Sequence, residues 1–163
     1  MKLFRRILLA IAVLFVLSQL YRPAHENPAV DQNMVIEKSM NVPPNVQAIL
    51  SRSCADCHSS KTVWPWYTNV APVSWLVIDD VHEGRQEMNL SEWGTFSERR
   101  KRRKLQEICE QVSKKEMPLS NYVMIHHDAA LSDADRKALC DWANAEREKI
   151  PASASAVPPR KGS

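Results

Sequence analysis

Cys54 and Cys57 are separated by two residues and His58 follows the second at once, so the run Cys54-Ala55-Asp56-Cys57-His58 carries two thiols and an imidazole. Both thiols can add to the vinyl groups of one haem while the imidazole reaches the iron from one face. A bare Cys-x-x-Cys also serves zinc binding or thiol–disulfide exchange, and the contiguous His58 is what favours covalent attachment of haem c. One motif implies one haem per chain.

An iron ligated on one face only is open to gases or peroxide, whereas a second protein ligand closes it for electron transfer. Downstream candidates are His82, Met88, Met117, Met124, His126 and His127. Met117 ranks first, because Pro118 removes a backbone donor and extends the loop that follows a charged helix end, where a thioether can be presented. His126 and His127 are adjacent and cannot both aim at one iron; either of them replaces Met117 in the alternative ligation. His82 and Met88 flank Gly84 and read as surface or packing residues. The run Trp64-Pro65-Trp66-Tyr67 supplies large rings with N–H and O–H groups, so Trp64, Trp66 and Tyr67 read either as haem cover or as core. A carbonyl of Pro65 or Pro72 is a candidate acceptor for Nδ1–H of His58, the bond that orients a metal-ligating imidazole.

These residues need elements to position them. Pro44 opens a short helix with Val46, Ile49 and Leu50 on one face, which delivers the chain to the cysteines. A second helix is expected from Ala71 to Glu83, holding Trp75, Leu76 and Ile78 and stopping at Gly84. Leu105, Ile108 and Val112 mark a third over Ser97 to Lys115. Ser132, with an acid at Asp135, caps a fourth that buries Leu139 and Trp142. Three glycines in the chain and little apolar–polar alternation argue against β architecture. The expected fold is a small all-α, cytochrome c-like domain wrapped around its haem. Cys109 and Cys140, in separate helical segments, either pair as a disulfide or stay as two buried thiols.

The N-terminus has Lys2, Arg5 and Arg6 ahead of an apolar stretch from Ile7 to Leu17, the pattern of a signal segment or transmembrane anchor. Leu20-Tyr21-Arg22-Pro23-Ala24 offers no clean small-residue cleavage site, which favours a retained anchor with the remainder on the periplasmic side of the inner membrane; cleavage would leave the protein free in the periplasm. The resulting division is 1–21 signal anchor or signal peptide, 22–44 Pro- and Asn-rich tether, 45–149 haem domain and 150–163 disordered tail. The net charge is +3, yet residues 26–150 hold 16 basic and 19 acidic side chains, a net of −3. A mildly acidic, exported body excludes nucleic acid as a partner. Arg99 to Lys104 are six consecutive cations. They read as a solvated helix face, and alternatively as a dock for an acidic redox partner.

Taken together, Cys54 to Ser59, Thr62, Trp64 to Tyr67, Ala71 to Trp75, Gly84-Arg85, Asn89 to Trp93, Glu116 to Leu119, Tyr122, His126, Leu131-Ser132 and Trp142 resemble the bacterial haem-binding domain family of small c-type cytochrome-like proteins. The resemblance spans about 45 to 146 and implies covalent haem c in an exported, often membrane-tethered protein. The leading expectation is an electron carrier, not an enzyme, with iron held by His58 and Met117 and a redox partner of unknown identity. The alternatives are a haem peroxidase or a gas or redox sensor with an open distal position, in which His126 or His127 does acid–base work, and a zinc module built from the cysteines and a histidine.

Overall fold

Leu105, Ile108 and Val112 fall on one side of a helix, and burying that side against Leu139, Trp142 and Ala143 creates the central helix pair of the molecule. The computed structural model describes residues 1–151, and every regular element among them is helical. In chain order these are α1 (Lys2–Ser18), α2 (Ile36–Ser39), α3 (Pro44–Ser53), α4 (Ala55–His58), α5 (Val73–Glu87), α6 (Glu98–Ser113), α7 (Ser120–Ile125) and α8 (Asp133–Lys149). Single 3-10 turns lie at Trp66–Asn69, Leu90–Thr95 and His127–Ala129.

The all-α expectation holds, and so do the starts of α3 and α8. Pro44 occupies the first turn of α3, where its missing N–H costs nothing. Ser132 and Asp135 form a reciprocal capping box on α8, the hydroxyl accepting from Asp135 N–H and the carboxylate from Ser132 N–H. Helices α6 and α8 run antiparallel: Arg102, near the start of α6, donates to the carbonyls of Arg147 and Ile150 at the end of α8. Midway along them the Cys109–Cys140 disulfide joins the pair. Ile150 is buried beyond the end of α8, so the packed domain runs one residue past the expected boundary. The expected disordered tail otherwise lies largely outside the described residues.

Four expectations need correction. Among the described residues no helix is long and apolar enough to cross a membrane; the 17 residues of α1 reach only about 25 Å, against roughly 30 Å of hydrocarbon. Segment 22–44 is not a free tether, because Val35 and Ile36 are buried and Ile36, at 1 % exposure, is part of the core. Glycine 94 explains the close approach: a Cβ there would stand 2.9 Å from the sulfur of Met34 and 3.0 Å from its Cα. The cations of α6 are not a solvated row. The Arg100 guanidinium stacks 3.9 Å over the Phe96 ring, Arg102 caps α8, and Lys104 is buried between Glu87 at 2.9 Å and Glu107 at 2.6 Å. Only their apolar stems and chosen acceptors made this possible, and a run of consecutive cations along the sequence does not show it. Finally, α5 does not stop at Gly84 but runs to Glu87.

Candidate functional site

The α3 helix ends at Ser53, and Cys54 caps the single turn of α4 that carries Asp56, Cys57 and His58. Helix α5 lies directly on that turn. The contact is closest at Gly84, where an added Cβ would stand 2.7 Å from the carbonyl oxygen of Cys57. This explains a glycine inside a helix, a position at which it ordinarily costs about 1 kcal/mol against alanine. The same residue turns its carbonyl toward His58, whose Nδ1 lies 2.8 Å from Gly84 O and 3.1 Å from Met88 O. With two carbonyl acceptors on that nitrogen, Nδ1 carries the proton and Nε2 keeps a lone pair. Burial further lowers the affinity of His58 for a second proton, so the ring stays neutral. The acceptors are therefore Gly84 and Met88, not Pro65 or Pro72. Met88 itself is in the core, and its backbone sits behind the imidazole; it does not face His58 as a second ligand.

Cys54 and Cys57 are both unbridged, while the other two cysteines are paired with each other. Burial pushes the Cys54 thiol up to about 12 and the Cys57 thiol up to about 11. The pair is thus held as neutral thiols: Arg52 near Cys54 and Arg85 near Cys57 pull the other way, but burial outweighs them, unlike at an exchange-active cysteine.

Within the motif, Asp56 is the organising residue that ties it to its surroundings. Its Oδ1 accepts from Val63 N–H at 3.1 Å, its Oδ2 from the Tyr122 hydroxyl at 2.7 Å, and its carbonyl from the Thr62 hydroxyl at 2.6 Å. The Tyr122 ring stacks on His126 with centroids 4.3 Å apart, and Tyr67 shares a short hydrogen bond with His126 Nε2. Burial raises both tyrosines, with the neighbouring Asp56 and Cys57 adding to it. Tyr67 and His126 are therefore brought together at the motif, joined by Tyr122, which the motif reading alone did not single out.

The remaining candidates are placed less centrally. Trp64 stacks on His25 with centroids 4.7 Å apart, and its indole N–H is buried without a protein partner. Trp66 is 78 % exposed. Met117 is half-buried in the loop from α6 to α7, its N–H 3.4 Å from Gln111 O. His82, Met124 and His127 are exposed.

Residues 19–27 supply a wall that sequence reasoning missed. The Gln19 side-chain amide donates to Ala71 O at 3.1 Å and accepts from Ala71 N–H at 3.0 Å. Trp75 Nε1 donates to Tyr21 O, and His25 Nε2 donates to Thr68 O. Arg85 then binds both sides of the seam: Ser59 O and Thr62 Oγ1 after the motif, Glu26 O and Asn27 Oδ1 on the N-terminal strap, each within 2.7 to 2.8 Å. A row of isolated polar residues gives no periodic signal, which is why the strap is invisible to pattern reading.

Fold and site define a small all-helical protein with a half-buried, neutral imidazole beside two free thiols. The chain matches the family model of the haem-binding domain over residues 13–145 and belongs to that family. Neither curated proteins nor solved structures provide a match to it. The residues present fit a haem: a neutral His58 with one nitrogen committed to carbonyls, two protonated thiols, and an orphaned Trp64 N–H suited to a propionate. They do not fit the zinc module, because Cys109 and Cys140 are consumed in a disulfide and no three His, Cys, Asp or Glu side chains converge among the described residues.

Proposed function

We propose that this protein carries one covalently bound haem c and transfers electrons in the cell envelope, its iron ligated by His58 and Met117. The observation that carries this reading is the anchored imidazole: two carbonyls fix its proton on Nδ1 and aim a free Nε2 out of a turn that also bears two unbridged thiols. One-electron oxidation and reduction is the chemistry that haem supplies when bound. Cys54 and Cys57 would hold it through thioethers, His58 would ligate one face, and Trp64, Trp66 and Tyr67 would cover its edge. Met117 is the distal ligand in this reading because it lies in the loop that leads into α7, whose Tyr122 touches the motif; a thioether favours the reduced iron and raises the potential. Export to the periplasmic side is supported by the charged and apolar N-terminal segment and by the Cys109–Cys140 disulfide, which is at home in an oxidising compartment. The electron partner is a second redox protein.

The test is direct. The purified protein should keep its haem through a denaturing gel, and Cys54→Ser with Cys57→Ser should lose it. The spectrum of the wild type should be low-spin and that of Met117→Ala high-spin; an unchanged spectrum in that variant removes Met117 from the role. One observation favours a second reading, a peroxide-active or ligand-sensing haem: the hydrogen-bonded Tyr67–His126 pair beside the motif is suited to proton transfer. Carbon monoxide binding by the reduced wild type at high rate would select it.

A further inference from the structure

Helix α7 has little apolar hold on the domain. It is six residues long, buries none of its side chains, and leaves Met124 69 % and Ile125 56 % exposed. Hydrophobic burial therefore does not fasten it, and what does is polar. Tyr122 donates to Asp56 in α4, His126 pairs with Tyr67 of the 3-10 turn, and the Asn121 amide faces the Asp80 carboxylate of α5. The three partners belong to three different elements around the attachment motif. Asp56 cannot follow a moving α7, because its other carboxylate oxygen and its carbonyl are held by Val63 and Thr62. The segment also has backbone joints at both ends: Lys115 takes a left-handed conformation at φ 60°, and His126 leaves the helix at φ −109°, ψ 76°. An element with few buried apolar contacts and hydrogen bonds at the surface is the kind that opens locally while the rest of a domain stays folded.

We infer that α7 and the Met117 loop ahead of it form a latched lid over the attachment motif, and that the Tyr122–Asp56 hydrogen bond is the latch that keeps small exogenous ligands from the side of the haem opposite His58. The inference rests on the haem reading above and adds its regulation: the same site is a closed carrier when latched and a ligand-binding haem when open. Tyr122 and Asp56 act here as positioning residues. Losing one hydrogen bond to a charged group shifts a closed-to-open ratio on the order of tenfold or more.

The experiment uses the full chain matured with haem and compares wild type with Tyr122→Phe, which deletes one oxygen and keeps the ring stacked on His126. Covalent haem per chain, the denaturation midpoint, the rate of carbon monoxide binding to the reduced protein, and amide exchange across residues 118–126 are measured. The expected result is equal haem, carbon monoxide binding at least about tenfold faster, and faster exchange in α7 with α6 and α8 unchanged. Unchanged ligand binding together with unchanged exchange in α7 overturns the lid. If Tyr122→Phe does not accumulate, Asn121→Ala removes a different tie and must change both readouts in the same direction. A wild type without covalent haem defeats the haem reading separately; exchange in the haem-free protein then decides the lid, faster in Tyr122→Phe supporting it and equal rates overturning it.

Discussion

At the scale of single residues, the site depends on one absent side chain and one planar cation. Gly84→Ala would stabilise most helices, yet here the new methyl meets the Cys57 carbonyl at 2.7 Å, and neither backbone has room to yield. The sign reverses: the variant should lose about 1–3 kcal/mol in denaturant unfolding, as overpacked sites do, and should incorporate less haem because His58 loses its aim. Arg85 joins four acceptors in one fork. Arg85→Ala should cost about 2 kcal/mol, and Arg85→Lys should recover little of it, because an ammonium cannot span both Ser59 O and Asn27 Oδ1. A lysine variant as stable as wild type would remove the fork from the account.

At the scale of elements, α8 is fastened at its start and its middle. Asp135 is held below the usual carboxylate range first by the Ser132 hydroxyl and backbone, with Arg52 at 2.8 Å assisting. A carboxyl whose folded pKa is depressed adds stability above its unfolded value, near 3.8, and loses it as pH falls through the folded value. Asp135→Asn should therefore be less stable than wild type at pH 7, and the two unfolding midpoints should converge on acidification below the ordinary carboxylate range. The Cys109–Cys140 bridge closes a segment with a sequence separation of 31. By chain entropy alone its removal should cost about 3–4 kcal/mol, read as a lower melting temperature for Cys109→Ser with Cys140→Ser under non-reducing conditions. The turn that carries Cys54 and Cys57 lies between α3 and α5, away from this bridge, so haem content of the surviving folded protein should be unchanged.

At the scale of the whole molecule, the N-terminal region divides at Gln19. Every residue of α1 before Ser18 is exposed, whereas Gln19, Tyr21, His25, Glu26 and Asn27 bond to the loop and helix that surround the motif. A chain beginning at Gln19, provided with a foreign export signal, should fold and take up haem as the full chain does. One beginning at Pro28 should melt at a lower temperature and attach haem poorly, since Arg85 loses two of its four acceptors and Trp64 loses the His25 ring together. Equal haem content in both truncations would show that the strap is dispensable.

Much of this was legible in the residues. Cys54, Cys57 and His58 announce their chemistry by spacing, and α3, α5, α6 and α8 announce themselves by apolar periodicity and by caps at Pro44 and Ser132, because those signals are local along the chain. The strap, the latch and the identity of the His58 acceptors were not, because each is a polar contact between segments far apart in sequence: Tyr122 with Asp56, Arg85 with Glu26, Gly84 with His58. The cations of α6 show the same division, since a run of charge specifies a helix face but not which neighbouring carboxylates or carbonyls it will meet. The sequence by itself determined the haem-binding motif and the helical class; only the tertiary structure decided which carbonyls hold the imidazole and which distant side chains bond to the motif, because hydrogen-bond partners at long range are chosen by packing geometry and leave no periodic trace in the chain.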